Sequence, residues 1–203
     1  MVLHIPSKTI WTSAGALSLY SVRRKPFVQY TKLGRAINRY KYHFESLTNH
    51  QKREIEIMCY EEVSSCLHKK FAHPPFNVIV PVPPNTDTRI SLAHRITEIF
   101  VDRYKDVFLD ASPYLHKNRE IGSIKKIPGE SIEDRKRHLK NAYRIEELRH
   151  VEIQGFLVID DVYQTGTTVR GVAEALRVQY NDKPRYLITL TALKENGFKE
   201  IPC

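Results

Sequence analysis

A chain of 203 residues with a 41% hydrophobic fraction and a net charge of +9 is long enough to bury a core of its own and suits one globular domain. No apolar run approaches the length of a membrane span. The three cysteines, Cys59, Cys66 and Cys203, form no CxxC pair, which excludes a zinc ribbon and a disulfide framework. The stretch from Ile10 to Val22 is interrupted by Thr12, Ser13, Gly15 and Ser18 and shows no small-residue cleavage site. It is not read as a signal peptide, and a cytoplasmic location is expected. The basic excess gathers at Arg23-Arg24-Lys25, Lys125-Lys126 and Arg135-Lys136-Arg137. Each cluster fits either a solvated surface or attraction to an anionic partner such as nucleic acid.

Residues 1–30 lack a sustained period and are expected to supply short strands and turns that cover the core. Leu33, Ala36, Ile37 and Tyr40 recur at helical spacing, and a longer helix is predicted from about Asn49 to Lys70, with Ile55, Met58, Cys59, Val63, Cys66 and Leu67 on one face. His73-Pro74-Pro75 stops it. Cys59 and Cys66 then read as small core residues rather than catalytic thiols. Phe76 to Val82 is a buried strand, followed by Pro83, Pro84 and a polar turn to Arg89; Leu92 to Phe100 is a helix, and Val107 to Ala111 a strand. That order implies a right-handed parallel crossover. Tyr114 to Gly129 has no clear period and reads as a long loop of the kind that serves as a lid. Ser131 and Asp134 suggest the start of a helix through Lys140, and Ala142 to Ile145 a short strand. Arg185 to Leu193 is a further strand, and the polar tail to Cys203 is expected to fray.

The most informative stretch is Gly155 to Thr168 (GFLVIDDVYQTGTT). Its four consecutive apolar residues suit a parallel strand covered on both faces. Val169, Val172, Ala173, Leu176 and Tyr180 then repeat with helical period, so Thr165 to Thr168 fall where a strand hands over to a helix N-terminus. The first amides of a helix are unpaired and carry the positive end of its dipole, Gly166 admits a close approach, and three threonines add hydroxyls. Together they make an anion site. Asp160 and Asp161 would repel a phosphate unless they address another part of the same ligand, such as sugar hydroxyls or a hydrated magnesium ion. A ribose 5-phosphate meets both demands.

Leu157 to Thr168 resembles the phosphoribosyl diphosphate (PRPP) signature of the type I phosphoribosyltransferases: hydrophobic strand, Asp-Asp, hydrophobic residue, then a Thr/Gly phosphate loop. Gln164 departs from it, standing where these enzymes usually carry Thr or Ser, so a phosphate hydroxyl is missing there or is replaced by Thr167. Val80-Pro81-Val82-Pro83, Lys41-Tyr42, and a basic segment before Asn141-Ala142-Tyr143 further resemble the ComF family of phosphoribosyltransferase-like proteins, over roughly Leu33 to Leu193. The Cys-rich ribbon often present in that family is absent here.

The resemblance implies one Rossmann-like α/β domain: a mostly parallel sheet flanked by helices, with residues 1–75 as an N-terminal hood on a core of 76–203. Asp160 and Asp161 are expected to hold the ribose, and Val162, Tyr163, Gln164, Thr165, Gly166, Thr167 and Thr168 to surround the 5-phosphate. Pro81, Val82, Pro83 and Arg89 would lie near the pyrophosphate, with Arg119, Lys125 and Lys126 on the closing loop, where exposed charge is the alternative reading. Mg2+ would arrive on PRPP, with Asp160 or Asp161 nearby and no direct protein ligand. The expected reaction is phosphoribosyl transfer to an unknown acceptor. The other readings are a PRPP or nucleotide sensor without turnover, and a partner of nucleic acid or protein in DNA uptake or antiphage defence. A homodimer is common among similar proteins, and no membrane association is expected.

Overall fold

A computed structural model describes residues 2–5, 10–24, 27–84, 90–118, 142–149, 151–193 and 199–201 of the chain. Along the chain they form β1 (Val2–His4), β2 (Ser13–Leu19), β3 (Ser21–Arg24), β4 (Phe27–Tyr30), α1 (Lys32–Tyr42), α2 (Asn49–Lys70) and β5 (Val78–Pro81). There follow α3 (Leu92–Arg103), β6 (Leu109–Asp110), β7 (Leu115–Lys117), β8 (Tyr143–Ile145), β9 (Phe156–Tyr163), α4 (Thr167–Gln179), β10 (Arg185–Ala192) and β11 (Lys199–Ile201).

Five strands lie side by side and parallel in the order β2, β10, β9, β5, β6. Beyond β2 the sheet continues with β1 and then β11, each antiparallel to its neighbour. Helices cover both faces. Ile79, Leu157 and Ile159 pack against α1, α2 and α3, whereas Val78, Val80, Phe156 and Val158 pack against α4 and the β7–β8 pair. The architecture is a Rossmann-like α/β fold built on a mostly parallel sheet.

The central strand β9 forms where the sequence offers Phe156-Leu157-Val158-Ile159, all fully buried because the sheet is covered on both sides. Enclosing four such side chains contributes about 1.5–3 kcal/mol each. That is ample to hold the strand in place while an acid follows at Asp160. Helix α2 has the predicted bounds. Thr48 and Gln51 close a capping box at its start, and its last amide-to-carbonyl bond, Phe71 to Leu67, comes just before the prolines. Cys59 and Cys66 are buried free thiols on its core face.

Four expectations are corrected. Ser13–Leu19 does not merely cover the core but is a strand of the main sheet, parallel to β10, with the small residues Ala14 and Ala16 buried. The tail pairs as β11 with β1 instead of fraying. The stretch read as a loop from Tyr114 begins with β7, which pairs antiparallel with β8. The strand expected over Val107 to Ala111 shrinks to Leu109–Asp110, because Val107 and Phe108 donate to Tyr104 and close the turn after α3. The helix expected over 131–140 lies outside the described residues. No helix among the described residues is long and apolar enough to cross a membrane.

Candidate functional site

The sheet reverses its winding between β5 and β9. From β5 the chain passes through α3 outward to β6, and from β9 it passes through α4 outward the other way to β10. In open α/β sheets such a switch leaves a crevice beyond the strand carboxyl ends. Pro81 pairs in register with Ile159, and the Val82 amide donates to the Ile159 carbonyl at 2.9 Å. Pro81, Val82 and Pro83 therefore run alongside the last part of β9, at Asp160 and Asp161.

The two acids are still part of β9 and do not belong to the turn after it, because pairing with β10 continues through Thr189↔Asp160 and Thr191↔Val162. Strand alternation sends them to opposite faces. Asp160 follows Val158 onto the face shared with Val82, Tyr143 and α4. Burial in this mostly apolar setting, and then the charge of Asp161, push its carboxyl up to about 8. The Asp161 amide donates to Asp160 Oδ1 at 2.9 Å. The nearby Tyr143 phenol is pushed up to about 12 by burial and by Asp160.

Asp161 faces α1. Lys41, in the last turn of that helix, donates to both of its carboxylate oxygens, at 3.0 and 2.9 Å. The Lys41 side chain is 37% exposed and that of Asp161 16%. Burial would lower the Lys41 ammonium, but Asp161 and then Asp160 outweigh it and hold it above its ordinary range. Two free carboxylates at the mouth of the site are thus not what the fold presents. One acid is half-buried with its carboxyl held well above the usual carboxylate range, and the other is ion-paired. Lys41 enters the sequence reading only through the family resemblance, since nothing local marks a contact that spans 120 residues.

After the acids, Val162 and Tyr163 are half-buried, Gln164 and Thr165 are exposed, and Gly166 turns the chain in the left-handed region at φ 71° and ψ 7°. Helix α4 starts at Thr167, as the change of period predicts. Gly166 has no side chain to cap the first turn, so the opening amides of α4 are not closed from that position. The hydroxyls of Thr165 and Thr167 lie 2.6 Å apart, and Thr168 is half-buried in the first turn. A methyl group on Gly166 would run into the Tyr163 phenol, so the tyrosine ring folds back over the turn. The loop thus sets two threonine hydroxyls and a left-handed glycine ahead of α4, with an aromatic side chain across the glycine.

Helix α1 arrives at this edge of the sheet through the β3–β4 hairpin. Tyr20 donates its amide to the last residue of β10, Ala192, at 2.8 Å, and the Thr31 hydroxyl donates to Leu19 at 2.5 Å while accepting the Gly34 amide at 3.0 Å. Here Val22, Gln29, Tyr30, Thr31, Lys32 and Arg35 line an open cavity of about 450 Å3. The carboxyl end of β2 thus carries a partly basic hollow on the same sheet edge as the acids.

Arg89, Arg119, Lys125 and Lys126 lie outside the described residues. Among the described residues no three His, Cys, Asp or Glu side chains gather to hold a metal ion. The oxygens of Asp160 and Asp161 are of the hard type that suits magnesium, which keeps several waters and binds through one or two carboxylates and substrate phosphates. Neither protein-family models nor curated protein sequences yield a match to the chain.

Proposed function

We propose that the protein binds PRPP with magnesium and transfers the phosphoribosyl group to an acceptor, releasing pyrophosphate, in the manner of the type I phosphoribosyltransferases of the ComF kind. One observation carries this reading: Asp160 and Asp161 lie near the carboxyl end of the central strand at the winding reversal, six and five residues before a left-handed glycine that opens a helix N-terminus. Acids for a sugar and amides for a phosphate are spaced there as one ligand needs them.

In the transfer the bond from the ribose anomeric carbon to the pyrophosphate oxygen breaks, and its electron pair leaves with pyrophosphate. The acceptor's lone pair forms the new bond and its proton passes to solvent. Positive charge builds on the sugar, so carboxylates beside the ring stabilise it, while the amides of α4 hold the 5-phosphate still. Bound magnesium would neutralise charge on the departing pyrophosphate. Lys41 must either share Asp161 with the ribose hydroxyls or move aside. A carboxylate offers about four acceptor positions, so sharing is chemically open.

The ion pair on Asp161 and the ring of Tyr163 over Gly166 support a second reading, a PRPP or nucleotide sensor that does not turn over. Titration calorimetry with PRPP and magnesium, followed by pyrophosphate release against a panel of bases and nucleotides, separates the two. Binding with release supports transfer, and binding without release supports sensing. An absence of binding heat, or unchanged binding in the Asp160→Asn/Asp161→Asn double variant, removes both.

A further inference from the structure

Among the described residues three threonine side chains are buried outright, at Thr97, Thr189 and Thr191. Two are satisfied: Thr97 donates to the Ala93 carbonyl at 3.0 Å, and Thr191 to the Asp161 carbonyl at 3.1 Å. Thr189 differs, because its hydroxyl is fully enclosed and has no hydrogen-bond partner. A buried polar group left unpaired is destabilising and asks for an explanation.

Its position supplies one. Thr189 is in register with Asp160 on one side and with Ala16 on the other. Parallel neighbours in register point to the same face of the sheet, about 4.8 Å apart. Leu187 and Val158, two residues earlier on each strand, both pack on the α4 side, so Thr189 and Asp160 share that face. Ala16 has no side-chain polar atom, which leaves the Asp160 carboxyl as the polar side chain beside the hydroxyl in the sheet.

Resting on the phosphoribosyl reading, we propose that Thr189 is a positioning residue of the sugar site, whose hydroxyl donates to the Asp160 carboxylate when a phosphoribosyl ligand is bound. A hydroxyl donor to an ionised carboxylate forms a short, charge-assisted bond, about twice as strong as a neutral one. Such a bond would hold the Asp160 carboxylate towards the ribose hydroxyls. The unpaired hydroxyl of Thr189 thereby gains a partner on binding.

The test uses Thr189→Val, which keeps the shape and removes the hydroxyl, and Thr189→Ser, which keeps the donor. Thermal unfolding without ligand and calorimetry with PRPP and magnesium are read for both. Thr189→Val is expected to raise the melting temperature by about 2–4 °C while weakening PRPP at least about tenfold, and Thr189→Ser to retain affinity within about threefold. Opposite signs for stability and affinity are not what a merely structural residue produces. A lower melting temperature or failure to fold in Thr189→Val overturns the proposal, because the hydroxyl would then be satisfied in the free protein. Unchanged affinity in Thr189→Val, beside a wild type that binds, overturns it while the phosphoribosyl reading survives. A wild type that does not bind PRPP overturns both.

Discussion

Lys41 and Asp161 join the last turn of α1 to the end of the central strand through two hydrogen bonds of 3.0 and 2.9 Å. The ammonium thereby sits beside both acids and works on the buried one as well, drawing the Asp160 carboxyl down against burial and the charge of Asp161. Lys41→Met should therefore push the Asp160 titration midpoint still higher, read from its carboxyl carbon shift against pH. Because the lysine side chain is more than a third exposed, loss of the pair should reduce stability by only about 1 kcal/mol. An unmoved Asp160 midpoint would show that the ammonium does not act on the pair.

Asp160 makes stability depend on pH in a defined direction. Its ordinary value is 3.8 and burial moves it to about 8, so between these values the folded chain holds a proton that the unfolded chain has released. Stability then falls as pH rises through that window and levels off above about 8. Asp160→Asn removes this contribution. Urea unfolding at pH 5, 7 and 9 should show the variant gaining on the wild type with each step. A constant difference across the three would mean that Asp160 titrates normally.

The parts of this fold that could be read from sequence are those whose signal is local. The handover from β9 to α4 follows from four apolar residues, two acids and a new period at Val169, and α2 from the helical spacing of its apolar face and the prolines after Phe71. What stayed hidden depends on distant pairing. Ser13–Leu19 is rich in small residues and shows no alternation of its own, and it is a strand because β10 lies beside it. β11 exists through β1, and β7 through β8. Only the four apolar residues mark β9 in the sequence, yet the threonine-bearing β10 extends the pairing past the acids that follow them. Lys41 is marked only by the family resemblance, and its pairing with Asp161 emerges only where α1 docks.

Gly166 and Tyr163 offer a test of the turn itself. Alanine at φ 71° carries a backbone penalty of about 1–2 kcal/mol, and its methyl group would also meet the Tyr163 phenol. Gly166→Ala should therefore lose clearly more stability in the wild type than in a Tyr163→Ala background, where the backbone part alone remains. The coupling is read as the difference between the two losses in a double-mutant cycle. Additive losses would mean that the ring does not rest on the glycine.

Gly34 sets where α1 lies and so whether Lys41 reaches its acid. In an ordinary helix, glycine to alanine gains about 1 kcal/mol. At position 34 the added methyl would collide with the Tyr20 carbonyl, a backbone atom at the end of the strand–hairpin connection that has no rotamer to yield. Helix α1 would have to lift away, and Lys41, seven residues or about 10 Å further along its axis, would move with it. Gly34→Ala should thus lower the melting temperature and, like Lys41→Met, raise the Asp160 midpoint, although it alters no charge. A gain in stability of the size seen in ordinary helices, with Asp160 unchanged, would show that α1 does not depend on that close approach.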